Sequence, residues 1–337
     1  MKKGIVILAV AVGICLLPGC KGNKSGGETT AANDSVQVPE FMADSAMASI
    51  EQQCTFGPRT LGSKAHEDCA QYICESFEEQ GCEVSRQEAE FTLYNGQKFK
   101  GCNIIASYRP DLTERLLLCS HWDSRPWADA DPNPANHHKP VMAANDGASG
   151  IGVMIEIARV LKEQAPAVGV DFVCFDAEDA GLPEWETNFS GNEQLTWCLG
   201  SQYWAAHPHR VDFRFGILLD MVGGRQATFY KELFSQHYAN SVVLQVWAAA
   251  RDAGYSSVFV DGDGGGITDD HLPLNTVAMI PTIDIIPYYP YQEHSFGPTW
   301  HTLNDTPDNI DRITLKAVGQ TLLQLCATLN SLLQLLI

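Results

Sequence analysis

Positive charge is scarce in this chain. Its 337 residues carry 22 Lys and Arg against 41 Asp and Glu, a net charge of −19. A nucleic-acid binder needs a basic footprint to displace counterions from phosphates, so that class is excluded. A polybasic membrane-surface protein is excluded on the same ground. No internal stretch is long and apolar enough for a transmembrane helix. Cysteines two residues apart never occur, which removes zinc ribbons and thioredoxin-type sites. There is no GxGxxG after an apolar run and no P-loop, and Gly262–Gly266 (GDGGG) lacks the following Lys-Ser/Thr, so it reads as a loop. No repeat of fixed period is present. With 45% hydrophobic and 19% charged residues the composition is that of a globular protein large enough to bury a sizeable core. The acidic surplus keeps a surface soluble and by itself names no substrate.

The first residues read as an address. Lys2 and Lys3 precede an apolar run from Gly4 to Leu17, and Leu17-Pro18-Gly19-Cys20 follows. A basic start, a short apolar run and a small residue before a cut describe a secretory signal. The ending resembles the bacterial lipobox, which implies a signal over residues 1–19, cleavage before Cys20 and lipidation of that thiol. The alternative is an ordinary signal with a chance cysteine. Residues 20–39 hold almost no large apolar groups and read as a flexible tether, leaving residues 40–337 for the folded domain. Lys21 lacks the aspartate common in inner-membrane retention, so the expected location is the periplasmic face of the outer membrane. Eleven cysteines minus Cys15 and Cys20 leave nine, an odd number that obliges at least one thiol to stay free or pair outside the chain. Cys119 and Cys174 sit in apolar runs and read as core.

Residues 41–55, 64–80, 147–164, 241–253 and 313–336 carry apolar groups at helical spacing. Residues 100–107, 115–121, 170–175, 213–219 and 280–286 read as strands, several as unbroken apolar runs that suit a sheet buried on both faces. The alternation predicts a single α/β domain: a twisted, mixed, largely parallel sheet with helices on both faces.

In such a sheet ligands bind beyond the carboxyl ends of the strands. The residues following each apolar run are therefore informative. They are Ser120-His121-Trp122-Asp123, Asn145-Asp146-Gly147 ahead of a helix, Asp176-Ala177-Glu178-Asp179, Asp220 after Leu219, and Trp300-His301-Thr302 at the end of a long loop. Alone, Asp146 could be a helix cap, Asp220 a turn cap and His301 a surface residue. Five regions converging on one rim would set several carboxylates against one another. A divalent cation resolves the repulsion, and imidazole with carboxylates favours Zn²⁺.

These motifs (His121-x-Asp123, Asn145-Asp146-Gly147-Ala148-Ser149-Gly150, Glu178-Asp179, Leu219-Asp220, His301-Thr302) resemble the zinc-dependent aminopeptidase superfamily M28, in order from about residue 41 onward. The resemblance implies ligands at His121, Asp146, Asp179, Asp220 and His301, Glu178 as general base, and Asp123 orienting His121. In most members the position of Asp179 is a glutamate. Further segments are similar to the glutaminyl cyclase branch: Asp269-Asp270-His271-Leu272-Pro273, Phe296-Gly297-Pro298-Thr299-Trp300-His301-Thr302, and His121-Trp122-Asp123-Ser124. That branch implies one zinc on Asp146, Asp179 and His301, with His121 and Asp220 left as vestigial second-metal positions. It implies Asp269 and Asp220 as catalytic partners of Glu178. Trp300, Phe296 and Trp185 would be the substrate-pocket walls. Cyclising an N-terminal glutamine needs no water: the α-amine attacks the γ-carbonyl and ammonia leaves, so one Lewis acid and one proton carrier suffice. The expectation is a glutaminyl-peptide cyclotransferase acting on peptide and protein N-termini. It would be a monomer that meets the membrane only through Cys20. The rivals are a two-zinc aminopeptidase and a non-catalytic envelope lipoprotein. His137 and His138 read as surface residues, and His271 as structural.

Overall fold

The apolar runs become the centre of a six-stranded sheet. A computed structural model describes residues 38–164, 166–292 and 294–334. The signal, Cys20 and all but the last residues of the tether lie outside these. In chain order the first elements are α1 (Ala43–Thr55), α2 (Lys64–Glu79), β1 (Glu83–Thr92), β2 (Lys98–Tyr108), β3 (Arg115–His121), α3 (Ala148–Gln164) and β4 (Gly169–Phe175). Then come α4 (Leu199–Ala206), β5 (Gly216–Leu219), β6 (Phe229–Lys231), α5 (Leu233–Asp252), β7 (Phe259–Asp263), α6 (His271–Thr276), β8 (Thr282–Ile285) and α7 (Arg312–Gln334).

The sheet order is β1-β2-β4-β3-β5-β8. β1, β2 and β4 pair antiparallel, while β4, β3, β5 and β8 run parallel. Successive side chains of a strand face opposite sides, and the packing follows that period. Leu116, Leu118, Phe172 and Cys174 join the core under α1, α3, α5 and α7. Leu117, Cys119, Val173 and Phe175 join a smaller core with Trp204 of α4 and Leu274 of α6. The expected architecture is therefore present, with helices on both faces. Cys119 and Cys174 are core residues, and all nine cysteines from Cys54 to Cys326 are free thiols.

Five elements carry no apolar periodicity that would have revealed them. β1 alternates between exposed and half-buried positions at the sheet edge. α4 and α6 are only eight and six residues long. β6 and β7 form a separate two-stranded sheet. α5 begins eight residues ahead of the expected helix, and its backbone breaks at Ala239 (φ −140°).

Candidate active site

The parallel strands deliver their following residues to one rim. β3 ends on His121, β4 leads into Asp176–Asp179, and β5 leads into Asp220. Three of the residues concerned stand in the left-handed region: Ala177 (φ 53°) just before Glu178, Met221 (φ 49°) just after Asp220, and His301 itself (φ 51°). Non-glycine residues tolerate that region at a cost of order 1–3 kcal/mol, and only where the surroundings over-determine it. Gly147 (φ 99°) adds the reverse case, since a Cβ there would meet His121 Cε1 at 2.9 Å.

Buried acids hold the turns. The Asp305 carboxylate accepts the N–H groups of Asn145 (2.7 Å) and Asp146 (3.0 Å). Asp123 accepts those of Glu178 (3.1 Å) and Asp179 (3.2 Å), and lies 3.4 Å from His121 Nδ1. Its grip on the Glu178–Asp179 turn is a contact the sequence did not predict. Asp176 accepts from Ala177 N and Cys102 N and pairs with His66 at 2.8 Å. Asp129 lies 3.3 Å from His301 Nδ1 and is itself gripped by Arg125, whose guanidinium also donates to the carbonyls of Asp179 and Gly181. Asp305, Asp129 and Arg125 sit in loops outside any motif, and sequence reasoning missed them.

Five of the expected ligand residues meet in two donor groups that share Asp146. In the group of His121, Asp146 and Asp220, the imidazole Nε2 is already 3.0 Å from Asp146 Oδ1 and 3.2 Å from Asp220 Oδ1. In the group of Asp146, Asp179 and His301, His301 Nε2 is 3.0 Å from Asp179 Oδ1 and 3.8 Å from Asp146 Oδ2, while Asp179 Oδ2 is buried without a partner. The shorter aspartate at position 179 therefore still reaches the group.

Proton affinities record a shortage of positive charge. Burial pushes the Glu178 carboxyl well above the usual range against the pull of His121, helped by Asp179, Asp269 and Asp270. Burial and the Asp220 charge lift Asp269 to about 7, and burial with Asp146 lifts Asp220 to about 6. Asp179 is raised by burial and Asp146. Burial opposes charge on His121, yet Asp123, Asp146 and Asp220 hold it protonated well above its ordinary value. An orphaned carboxylate oxygen, one imidazole and two carboxylates on a buried rim fit a zinc ion.

Above the rim lies a cavity of about 420 Å³, lined by the site acids, Met221, Ile267, Ile286, Phe296, Trp300 and Trp197. Trp300 stacks on His301 with centroids 3.8 Å apart, and Phe296 lies 4.8 Å from Trp300. Trp185 does not line this cavity. It is 38% exposed and packs on His138 and Trp127, because the turn after Pro183 carries it outward; Trp197 stands on the wall instead. His271 is fully buried and lies 3.3 Å from Glu232, in keeping with a structural role.

Residues 103–326 match the model of peptidase family M28. The chain belongs to that family. Within M28, it is 48% identical to a Bacteroides thetaiotaomicron glutaminyl cyclase bound to N-acetylhistamine, with a TM-score of 0.83 over 86% of this chain and 99% of that one. It is 47% identical to a leucine aminopeptidase precursor from Bacteroides thetaiotaomicron, with a TM-score of 0.82 over 87% and 99%. The bovine glutaminyl-peptide cyclotransferase is 25% identical over 259 residues, 68% of this chain and 66% of the bovine protein. The chain thus spans just under two thirds of that curated relative.

Proposed function

We propose that the protein is a zinc-dependent glutaminyl-peptide cyclotransferase, converting N-terminal glutamine to pyroglutamate with release of ammonia. One observation carries the reading. A buried base, Glu178, and a second acid held near neutrality, Asp269, share a small aromatic-walled cavity with a donor group suited to a single zinc.

Asp146, Asp179 and His301 would hold the zinc, one per chain, which when bound would polarise the substrate's γ-carbonyl. Phe296 and Trp300 hold the glutamine side chain folded back on its own amine, so that attack is intramolecular. Glu178 takes a proton from the α-amine, bound in its neutral form, as the nitrogen–carbon bond forms. It returns that proton to the γ-amide nitrogen as the carbon–nitrogen bond breaks and ammonia leaves. Asp269, its carboxyl raised by burial and Asp220, holds the departing nitrogen. No water is consumed.

His121 and Asp220 keep the alternative of a two-zinc aminopeptidase open to test. In the cyclase reading the two instead engage each other, His121 Nε2 lying 3.2 Å from Asp220 Oδ1 and 3.0 Å from Asp146 Oδ1. A coupled assay separates the readings: ammonia from Gln-Xaa dipeptides against arylamine from a Leu-arylamide. Ammonia without arylamine is expected; arylamine without ammonia overturns the cyclase. Substrates are peptide and protein N-termini, and the enzyme works as a monomer on the periplasmic face of the outer membrane, held by lipid on Cys20. Fatty-acid labelling that survives Cys20→Ala would overturn the anchor.

A further inference from the structure

Cys198 lies behind the cavity wall, 3% exposed, at the N-terminus of α4 and in the left-handed region (φ 57°). Two links fix it against the base. Its N–H donates to the Glu178 carbonyl at 3.0 Å, and its thiol donates to Glu178 Oε1 at 3.4 Å. The Asp269 carboxylate completes a third donor group, in which one atom each of Glu178, Cys198 and Asp269 lie within 4.8 Å of one another. Asp269 Oδ1 accepts the Asp270 N–H at 2.5 Å, whereas Oδ2 is buried and accepts nothing. Asp269 is 96% buried, being 4% exposed. Among the described residues no Lys or Arg pairs with any of the three, and His121 Nδ1 comes no nearer than 3.9 Å to Glu178 Oε2.

The sulfur decides what could bind. Carboxylates alone suit Mg²⁺ or Ca²⁺, while a thiolate beside two carboxylates selects softer ions such as Zn²⁺ in excess or Cd²⁺. We propose that Glu178, Cys198 and Asp269 form a second metal site, distinct from both groups built on Asp146, which takes a thiophilic divalent cation and thereby removes the base from use. Binding replaces the Cys198 sulfur–proton bond by a sulfur–metal bond, and the proton goes to solvent; nothing is oxidised or reduced. The inhibition rests on the cyclase reading, whereas the binding does not.

The test titrates the protein, loaded with one zinc per chain, with Cd²⁺. Thiolate-to-cadmium ultraviolet absorbance and ammonia release are followed together. The band should saturate at one ion per chain, in step with loss of activity. Cys198→Ser should abolish the band and weaken inhibition roughly 10–100-fold, the scale on which even a supporting contact acts at a metal site. Absence of the band in the unaltered protein overturns the proposal without any variant. So does a band that persists undiminished in Cys198→Ser and in Cys198→Ala. Inhibition that is unchanged in both variants places the ion elsewhere and also overturns it. A protein that shows the Cys198-dependent band but releases no ammonia keeps the site and loses the cyclase.

Discussion

The two ends of β4 use buried carboxylates in opposite ways. At the start of the strand Asp171 receives both arms of the Arg115 guanidinium, at 2.6 and 3.0 Å, with both side chains wholly buried. Burial opposes ionisation there, yet His209, Arg115 and Ser107 outweigh it and bring the carboxyl down to about 2. Past the other end, Glu178 and Asp179 stand among further acids, and the Arg125 guanidinium nitrogen is 3.8 Å from the Asp179 carboxylate. Burial and those acids push both carboxyls up. One end satisfies its charge within the fold and stabilises it. The other leaves a demand for positive charge that a cation meets.

Removing the cation's imidazole should have the largest effect. His301→Ala is expected to abolish zinc binding and lower ammonia release ~10³-fold or more, the scale of Lewis-acid stabilisation. Elemental analysis showing a full equivalent of zinc in that variant would mean that the charge is met elsewhere. Glu178→Gln should keep the zinc and reduce turnover by ~10²–10⁴-fold. Its melting temperature should hold, since the amide is close in size and shape to the buried carboxyl; unchanged turnover would reject the base. Asp171→Asn tests the opposite end. It strands Arg115 and should cost about 3–5 kcal/mol in urea denaturation, with kcat per folded molecule unaltered. A fall in kcat would show that the two ends are not independent.

The smallest effect is in pH. Asp171 sits below its ordinary value of 3.8, so its contribution to stability is complete above about pH 4 and lost as pH falls through 2. Asp220 and Asp269 are raised instead, to about 6 and about 7. Without zinc, the stability of the protein should therefore decline as pH rises from about 4 through about 7, and the raised His121 and His301, the latter at about 9, continue the decline beyond. Melting curves of zinc-free protein should stand higher at pH 5 than at pH 8, and Asp269→Asn should reduce that slope. A zinc-free protein equally stable at both values would refute the charge shortage.

The rim end of this contrast was legible in the sequence, whereas the Asp171–Arg115 end was not. The runs that became β3, β4, β5 and β8 are apolar because both sheet faces are covered, and the rule that ligands sit past the carboxyl ends then singled out His121, Glu178, Asp179 and Asp220. Edge strand β1 escaped notice because half its side chains face water, which erases the apolar pattern. Asp129 and Asp305 escaped for another reason. Each acts on a residue more than 150 positions away in the chain, His301 for the first and Asn145 and Asp146 for the second, and no local spacing encodes such a meeting. Trp185 shows the limit of placing a wall residue by neighbourhood, since the turn after Pro183 carries it away from the cavity and gives the place to Trp197.

The Asp305 clasp on Asn145 and Asp146 also sets an order of events. Residues 121–220 supply most of the rim, but the turn bearing Asp146 is clamped by a side chain that emerges from the ribosome about 160 residues later, four residues after His301. Closing so long a loop costs entropy that only the nearly complete chain can offset. Metal capture is therefore a late step in the life of each molecule. A nascent chain stalled before residue 301 would lack a ligand and the clamp together, and would be inert.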